Sequence, residues 1–222
     1  RGYAELMRRG VATDPEAARH AAERIEAAGS RMGMLVDDLL LLASLDEGRP
    51  IAHERVDLRR LIDEAVAEAA TAGPDHEWSV RAGDEPVVVV GDPLRLHQAV
   101  ANLLANARAH TPAGTHVTAY LGTDGRTAVI DVVDDGPGFP PDLLPRVTER
   151  FARGDASRSR ATGGSGLGLA IVKAVTDAHE GTLQVGNRPD APGAYVRLQF
   201  PVAPAIAATR TDESAFAGPA PT

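Results

Sequence analysis

The sequence predicts an α+β protein in which one long amphipathic helix precedes a region of alternating strands and helices. The first observation is a series of apolar residues that recurs at spacings of three and four between positions 18 and 42, as on one face of a helix. The second is the change after Pro50, where short runs rich in β-branched residues alternate with helical patterns. Gly48 and Pro50 end the first pattern, so we place a domain boundary between residues 50 and 51.

The N-terminal domain, residues 1–50, is predicted to be part of a helical hairpin. Residues 1–10 are typical of the end of one helix, and a second helix is expected from residue 15 to about residue 47. The apolar stripe of this second helix consists of Ala18, Ala21, Ile25, Ala28, Met32, Leu35, Leu39 and Leu42, flanked by Val36, Leu40 and Ala43. A stripe this wide can pack against more than one neighbour. It favours a hairpin that dimerises as a four-helix bundle over a single helix lying on its own domain.

Residues 51–201 are predicted to form a second domain of strands and helices. Helices are expected at 58–72, at 92–109 and from a glycine-rich stretch to about 179, and strands at 77–81, 86–91, 116–121, 127–133, 182–186 and 194–200. The run of four valines from Val87 to Val90 predicts a strand buried on both faces. Ala, Pro and Thr dominate residues 202–222, which are expected to be a disordered tail.

Composition and charge narrow the classes of function. The net charge of the 222 residues is −8, which argues against nucleic acid or an anionic membrane as the main partner. The chain contains no cysteine, so disulfides, thiolate metal sites and cysteine nucleophiles are excluded. It also lacks a run of about 18 apolar residues and a signal-peptide pattern, so we expect a soluble, cytoplasmic chain.

The stretch 163–168 is rich in glycine and runs directly into an amphipathic helix. Glycines leave backbone N–H groups unobstructed, and the N-terminus of a helix favours negative charge, so the two together suit a phosphate group. A flexible turn is the alternative for this stretch taken alone.

Two asparagines, Asn102 and Asn106, lie four residues apart in the helix expected at 92–109 and therefore share one face. The opposite face is apolar. Neutral amide oxygens suit Mg²⁺, which shares its remaining positions with water and nucleotide phosphates. A single exposed Asn usually has no function, so it is the pair in register that indicates a site.

A tight turn at 134–140 follows a predicted strand and contains Asp134, Gly136 and Gly138. A buried carboxylate at this position could accept a hydrogen bond from the exocyclic amine of adenine, and the glycines would let the base approach the backbone. An ordinary Asp-Gly turn is the alternative.

These stretches, in this order, resemble the catalytic and ATP-binding region of the sensor histidine kinases of two-component systems. The resemblance extends over about residues 1–200. The matching segments are Asn102-Leu-Leu-Ala-Asn106-Ala with His110-Thr-Pro after it (N box), Asp134-Asp-Gly-Pro-Gly138 (G1 box), Glu149-Arg-Phe-Ala-Arg-Gly154 (F box) and Gly164-Ser-Gly-Leu-Gly-Leu169 (G2 box).

The resemblance implies a two-layer α/β sandwich, a mixed sheet covered on one face by three helices, that holds ATP between the N-box helix and a mobile lid. It implies that Asp134 binds adenine and that Asn106, the catalytic residue, holds Mg²⁺ with Asn102 as a second metal ligand. Phe151 and Arg153 would belong to the lid, with 155–162 as its flexible part. The implied nucleotide-binding residues are Asn102, Asn106, His110, Asp134, Gly136, Gly138, Phe151, Arg153, Gly164, Ser165, Gly166, Leu167 and Gly168.

The implied reaction is transfer of the γ-phosphoryl group of ATP to a His on the dimerisation helix, for relay to a response regulator. In this family the acceptor His is followed by Glu or Asp and, a few residues later, by Pro, and none of the seven histidines has this context. We therefore expect a fragment that begins after its phosphorylation site, with a homodimeric parent whose membrane anchor, if any, lies in missing upstream segments. Many relatives carry a phosphate-binding Lys or Arg where this sequence has Ala109, which leaves open whether the adjacent Arg108 substitutes for it.

Two other functions remain as alternatives. ATP hydrolases of the same superfold, such as gyrases and chaperones, carry a Glu general base at the position of Asn102, and an amide cannot take a proton from water, so transfer is favoured over hydrolysis. The second alternative is a non-catalytic dimerisation or nucleotide-binding module, which the intact N, G1 and G2 boxes argue against.

Overall fold

The computed structural model describes residues 15–152 and 165–204, in which one long helix is followed by strands and helices. The elements in chain order are α1 (Pro15–Asp46), β1 (Glu54–Asp57), α2 (Leu58–Ala72), β2 (Glu77–Ala82), β3 (Val88–Gly91), α3 (Pro93–His110), β4 (His116–Thr123), β5 (Thr127–Asp134), a 3₁₀ turn (Leu144–Arg146), α4 (Gly168–Ala178), β6 (Thr182–Asn187) and β7 (Ala194–Pro201). The sequence analysis does not predict β1 or the 3₁₀ turn, and the other elements lie within a few residues of their predicted bounds. Within the described residues, no helix is long and apolar enough to span a membrane.

The main sheet has five strands in the order β2-β4-β5-β7-β6. β2 pairs in parallel with β4, and the remaining neighbours are antiparallel, so the sheet is mixed. Alternate residues of β5 and β7, such as Ile130 and Leu198, are fully buried, whereas the residues between them are partly exposed. α2, α3 and α4 pack on the buried face. This arrangement confirms the two-layer sandwich with three helices.

The valine run is not a central strand, so the prediction that it is buried on both faces is wrong. β3 pairs antiparallel with β1 in a separate two-stranded sheet, in which Val89 is 1% exposed and Val90 is 42% exposed. This two-stranded sheet is covered on one face only. The sequence does not show which face is exposed, because valines occupy both faces of β3. The chain after β7 continues along β3, since the amide of Ala203 donates to the carbonyl oxygen of Val88. Ordered pairing thus extends beyond Pro201, and residues 205–222 lie outside the described part.

The apolar stripe of α1 is divided between two environments. Leu41 and Leu42 near the C-terminus of α1 are buried in the core of the second domain, where α1 packs against α4. Upstream, large apolar side chains are exposed: Ile25, Met32, Met34, Val36, Leu39 and Leu40. The last turns of α1 therefore lie on their own domain, as the alternative to the hairpin proposed, while the upstream stripe remains open to a partner. The first arm of the predicted hairpin, within residues 1–14, lies outside the described residues.

Candidate functional site

α3 places the two predicted asparagines on one face. The helix begins at Pro93 behind an N-cap, Asp92, whose Oδ1 accepts a hydrogen bond of 3.1 Å from the amide of Arg95. One face of α3 is buried: Leu96, Ala99, Val100, Leu103, Leu104 and Ala107. This burial fixes the rotation of the helix, and the side chains of Asn102 and Asn106 are half-buried beside the core.

The structure brings both asparagines to the N-terminus of α4. A Cβ placed on Gly168 would lie 3.8 Å from Oδ1 of Asn106 and 3.9 Å from Oδ1 of Asn102. The N box and the G2 box therefore meet at Gly168, as the resemblance implies. Both distances are of ordinary van der Waals length, so the space beside Gly168 is open enough to hold a Cβ.

The amide nitrogen Nδ2 of Asn102 is buried and has no hydrogen-bond partner among the described residues. A buried donor without a partner costs about 1–3 kcal/mol, so such atoms usually indicate a missing ligand, water or ion. A phosphate oxygen is an acceptor that would satisfy it. Among residues 15–152 and 165–204, no group of three or more His, Asp or Glu could hold a metal, so a Mg²⁺ ion here would depend on amide and phosphate oxygens.

The described part of the N-terminus of α4 suits an anion. In the described part of the chain, no side chain caps this helix and its first turn has no acidic residue. Ser165 accepts a bond of 3.2 Å from the amide of Leu167 through Oγ. The side chain of Leu167 is completely buried in the core, so this residue can contribute only backbone groups to a ligand.

The F box reaches the G2 box through the backbone. The amide of Phe151 donates to the carbonyl oxygen of Gly166 at 2.8 Å. Gly166 has φ +74°, and a Cβ on it would lie 2.9 Å from Cα of Phe151, so this contact requires glycine. The side chain of Phe151 is 59% exposed. The predicted lid residues Arg153 and 155–162, and the predicted site residue Gly164, lie outside the described residues.

Asp134 ends β5 with its carboxylate held by two backbone amides. Oδ1 accepts from Gly136 at 2.9 Å and from Ala194 at 3.2 Å. Neither bond uses Oδ2, which is therefore the oxygen that can accept a hydrogen bond from a ligand. Gly193 lies so close that a Cβ on it would be 1.9 Å from the carbonyl oxygen of Asp134.

The glycines of the G1 box are required by the protein's own packing. A Cβ on Gly136 would lie 2.6 Å from Cγ2 of Thr111, and one on Gly138 would lie 2.7 Å from Oδ1 of Asn187. Asn187 binds both backbone groups of Phe139, accepting from its amide at 2.6 Å and donating to its carbonyl oxygen at 2.9 Å. The sequence analysis missed Asn187, because a single Asn at the end of a strand carries no pattern that distinguishes it.

Arg108 does not point toward the asparagines. Its Nη1 donates to the carbonyl oxygen of Ala72 at 2.6 Å, and its side chain covers Gly73 at the C-terminus of α2. Ala109 and His110 are exposed at the end of α3. Arg108 therefore binds the C-terminus of α2. Residue 109, where many relatives carry a Lys or Arg, is an alanine and has no positive charge.

Two family models match the chain. The model described as Histidine kinase-, DNA gyrase B-, and HSP90-like ATPase matches residues 91–204, which contain all the site residues discussed above. The model of the His Kinase A (phospho-acceptor) domain matches residues 1–48.

Individual proteins agree with these models. The chain is 53% identical over 198 residues to the probable sensor histidine kinase TcrY of Mycobacterium tuberculosis, an alignment that covers 89% of this chain and 42% of that protein. It resembles the solved structure of the mycobacterial sensor histidine kinase MprB with TM-score 0.61 and 37% identity, covering 68% of this chain and 99% of that one. Full-length ShkA in complex with AMPPNP gives TM-score 0.72 and 28% identity, with 86% and 40% covered. The chain spans less than half the length of TcrY and of a second curated relative, the sensor histidine kinase TrcS of Mycobacterium tuberculosis.

Proposed function

The chain belongs to the sensor histidine kinases, and on this premise we propose that it binds ATP with Mg²⁺ and transfers the γ-phosphoryl group to a histidine of a dimerisation helix. The phosphorylated histidine would then supply a response regulator. Residues 51–201 would form the ATP-binding domain, and residues 1–50 would be part of the dimerisation domain that carries its acceptor elsewhere.

The observation that carries the proposal is the meeting of Asn102 and Asn106 with the N-terminus of α4 at Gly168, where no side chain of the described residues caps the helix. Backbone N–H groups at a helix N-terminus attract phosphate, and the unpartnered Nδ2 of Asn102 supplies a further donor. Asparagine remains neutral, so neither residue can take a proton from water as a general base. This chemistry favours transfer over hydrolysis.

Asp134 would select adenine. Its Oδ1 is engaged by two backbone amides, and Oδ2 can accept from the exocyclic amine of the base. Gly136, Gly138 and Asn187 hold the loop that forms this part of the pocket.

Mg²⁺, when bound, would neutralise charge on the phosphate oxygens and orient them. The oxygen Oδ1 of Asn106 is the protein ligand we propose for it, with Oδ1 of Asn102 as the second. The N-terminal turn of α4, from Gly168, would hold the phosphates in place, while Ser165, Gly166 and the backbone of Leu167 would line them. Phe151 and His110 would complete the rim of the site.

His20 is the histidine within residues 1–48, where the phospho-acceptor model matches. It is exposed on α1 beside Glu23 and lacks the sequence context of an acceptor. We propose that the acceptor is a histidine outside this sequence. Dimerisation, pairing with a response regulator and any attachment to a membrane through other segments belong to the same proposal.

Radiolabelled ATP with Mg²⁺ tests the proposal directly. The full chain is incubated with a separate helical hairpin that carries the acceptor histidine of a family member, and acid-labile, base-stable label is measured. We expect label on the hairpin, none on the chain alone, and the same result with His20→Ala. Label on the chain that disappears in the His20→Ala variant would identify His20 as the acceptor. Release of inorganic phosphate without any phosphohistidine would identify a hydrolase instead.

A further inference from the structure

His179 lies at the C-terminus of α4, the opposite end of that helix from Gly168. The residue is 7% exposed and faces Phe200 edge-on, with ring centroids 6.1 Å apart. Its Nδ1 lies 2.7 Å from the carbonyl oxygen of Val175, and its Nε2 lies 2.9 Å from the amide nitrogen of Asp92. The ring therefore joins the end of α4 to the turn that begins α3.

These two contacts define the state of the ring. A carbonyl oxygen only accepts, so Nδ1 must carry a proton, and an amide N–H only donates, so Nε2 must be the unprotonated acceptor. The neutral ring with the proton on Nδ1 makes both bonds. Burial lowers the pKa of His179, while the Val175 carbonyl and the Asp92 carboxylate act in the opposite direction and nearby His53 adds to the lowering.

The turn that receives this bond is the N-cap of α3. Oδ1 of Asp92 accepts from the amide of Arg95, and Oδ2 accepts from the amide of Ala52 at 3.3 Å. A Cβ on Gly91 would lie 2.4 Å from Cδ2 of His179, so the imidazole sits directly against the backbone of the turn. The turn is thus fixed from three sides: by its own helix, by the chain before β1 and by α4.

The other ends of the same two helices meet at the nucleotide site. α3 and α4 pack against each other, with His179 at Asp92 at one end and Gly168 beside Asn102 and Asn106 at the other. The helices are therefore antiparallel. Because an α-helix is stiff over the roughly 16 Å that 11 residues span, fixing one end of the pair fixes the offset at the other.

We propose that His179 is a positioning residue: its bond to the amide of Asp92 sets the position of α3 along α4 and so aligns Asn102 and Asn106 with the N-terminus of α4. The inference rests on the proposed phosphoryl transfer. A shift of about 1 Å in a reacting group can reduce a rate on the order of 100-fold. Adenine recognition should change less, because Asp134 lies on β5 and not on either helix.

Two substitutions separate the hydrogen bond from the packing. His179→Gln keeps a side-chain oxygen that can accept from the Asp92 amide, and His179→Leu keeps apolar volume without an acceptor. Ile130→Val serves as the matched control, since it removes one buried methylene from β5 without touching the turn. For each variant, ADP-Mg²⁺ affinity is measured by calorimetry, the transfer rate to the supplied hairpin at saturating ATP, and the thermal midpoint of unfolding.

We expect His179→Leu to lower the transfer rate about tenfold or more while ADP affinity falls by less than about threefold. His179→Gln should restore most of the rate, and Ile130→Val should retain it at a similar loss of thermal stability. The amide proton of Asp92 gives an independent signature by NMR: it should exchange slowly in the unaltered chain and in His179→Gln, and rapidly in His179→Leu.

Three results would overturn the inference. His179→Leu could transfer at the unaltered rate, it could lose no more activity than Ile130→Val, or the Asp92 amide could be equally protected in every variant. Failure of the proposed function is distinguishable. If the unaltered chain binds ADP-Mg²⁺ but phosphorylates nothing, the proposed kinase activity is rejected. The positioning role of His179 is then tested by the side-chain amide signals of Asn102 and Asn106 in NMR spectra. ADP-Mg²⁺ should shift these signals in the unaltered chain but not in His179→Leu.

Discussion

Replacing Asp134 by Asn should change nucleotide selectivity while leaving the fold intact. The two backbone amides that fix the carboxylate both bind Oδ1, and an asparagine can present its own Oδ1 to the same donors at Gly136 and Ala194. The substitution is therefore confined to the other atom, where the acceptor Oδ2 becomes the donor Nδ2. If Asp134 binds adenine as we propose, this is the atom that would face the base.

The expected magnitude follows from the type of bond. A hydrogen bond to a charged group contributes about 1.5–3 kcal/mol, and a donor facing the exocyclic amine of adenine would add repulsion between two donors. We therefore expect the affinity for ATP to fall by about 2–3 kcal/mol, which corresponds to roughly 30- to 150-fold. Inosine nucleotides carry a carbonyl oxygen in place of this amine, so their affinity should be unchanged or improved.

Calorimetry with ATP and ITP measures both effects in one pair of titrations, and thermal unfolding checks the fold. Asp131→Asn is the matched control: it lies on the same strand, and its carboxylate binds Arg197 at 2.7 Å on the sheet face away from the helices. This control should leave the ratio of ATP to ITP affinity unchanged. Equal ATP affinity in Asp134→Asn and the unaltered chain would remove Asp134 from the adenine site.

Three further predictions follow from the same contacts. Asn106→Asp places a negative charge beside Gly168, which should lower the transfer rate on the order of 100-fold while ADP affinity changes much less; unchanged labelling of the hairpin would show that the metal is held elsewhere. The pKa of His179 in the folded chain lies below its ordinary 6.5, so the unfolded chain takes up this proton first as the pH falls. The free energy of unfolding should therefore fall as the pH drops below about 6.5, and His179→Gln should flatten this pH dependence in thermal or urea unfolding. Equal pH dependence in the variant and the unaltered chain would contradict the prediction. The chain should dimerise only weakly, since the apolar stripe of α1 upstream of Leu42 contains three alanines, which bury little area. Sedimentation at several concentrations should show dissociation at micromolar protein. A dimer that persists at nanomolar protein would contradict this prediction.

The sequence predicts the elements of the ATP-binding region well because each has a local cause. Asp92 and Pro93 mark the start of α3, and the spacing of Asn102 and Asn106 fixes their common face once the opposite face is buried. The distance between these asparagines and Gly168 has no local cause, since the residues are more than sixty positions apart. The resemblance implies only that these residues serve one nucleotide, and the structure places the two asparagines beside Gly168.

The contacts that the sequence analysis missed share a different property: each joins backbone to a single unremarkable side chain. Asn187 holds Phe139, Arg108 closes α2 at Ala72, and His179 holds Asp92. A backbone partner leaves no complementary residue in the sequence, so no pattern of two positions reveals the bond. For Arg108 the sequence analysis left the partner open, because the choice between a phosphate and a helix C-terminus depends on the neighbouring element.

The valine run and the seam of α1 show a further limit, which concerns the identity of the partner. An apolar stripe indicates that one face of an element is covered, and the spacing of the stripe indicates whether the element is a helix or a strand. Neither indicates which part of the protein or which partner covers that face. In α1 the same three-and-four spacing continues from Ile25, which is exposed, to Leu42, which is buried against the second domain. The ion pair between Asp46 and Arg150 then ties the end of α1 to the segment that leads into Phe151. Leu42 is already buried against the second domain, so we expect a four-helix bundle built on α1 to use the stripe only as far as about Leu39 and the last turns of α1 to stay packed on the second domain.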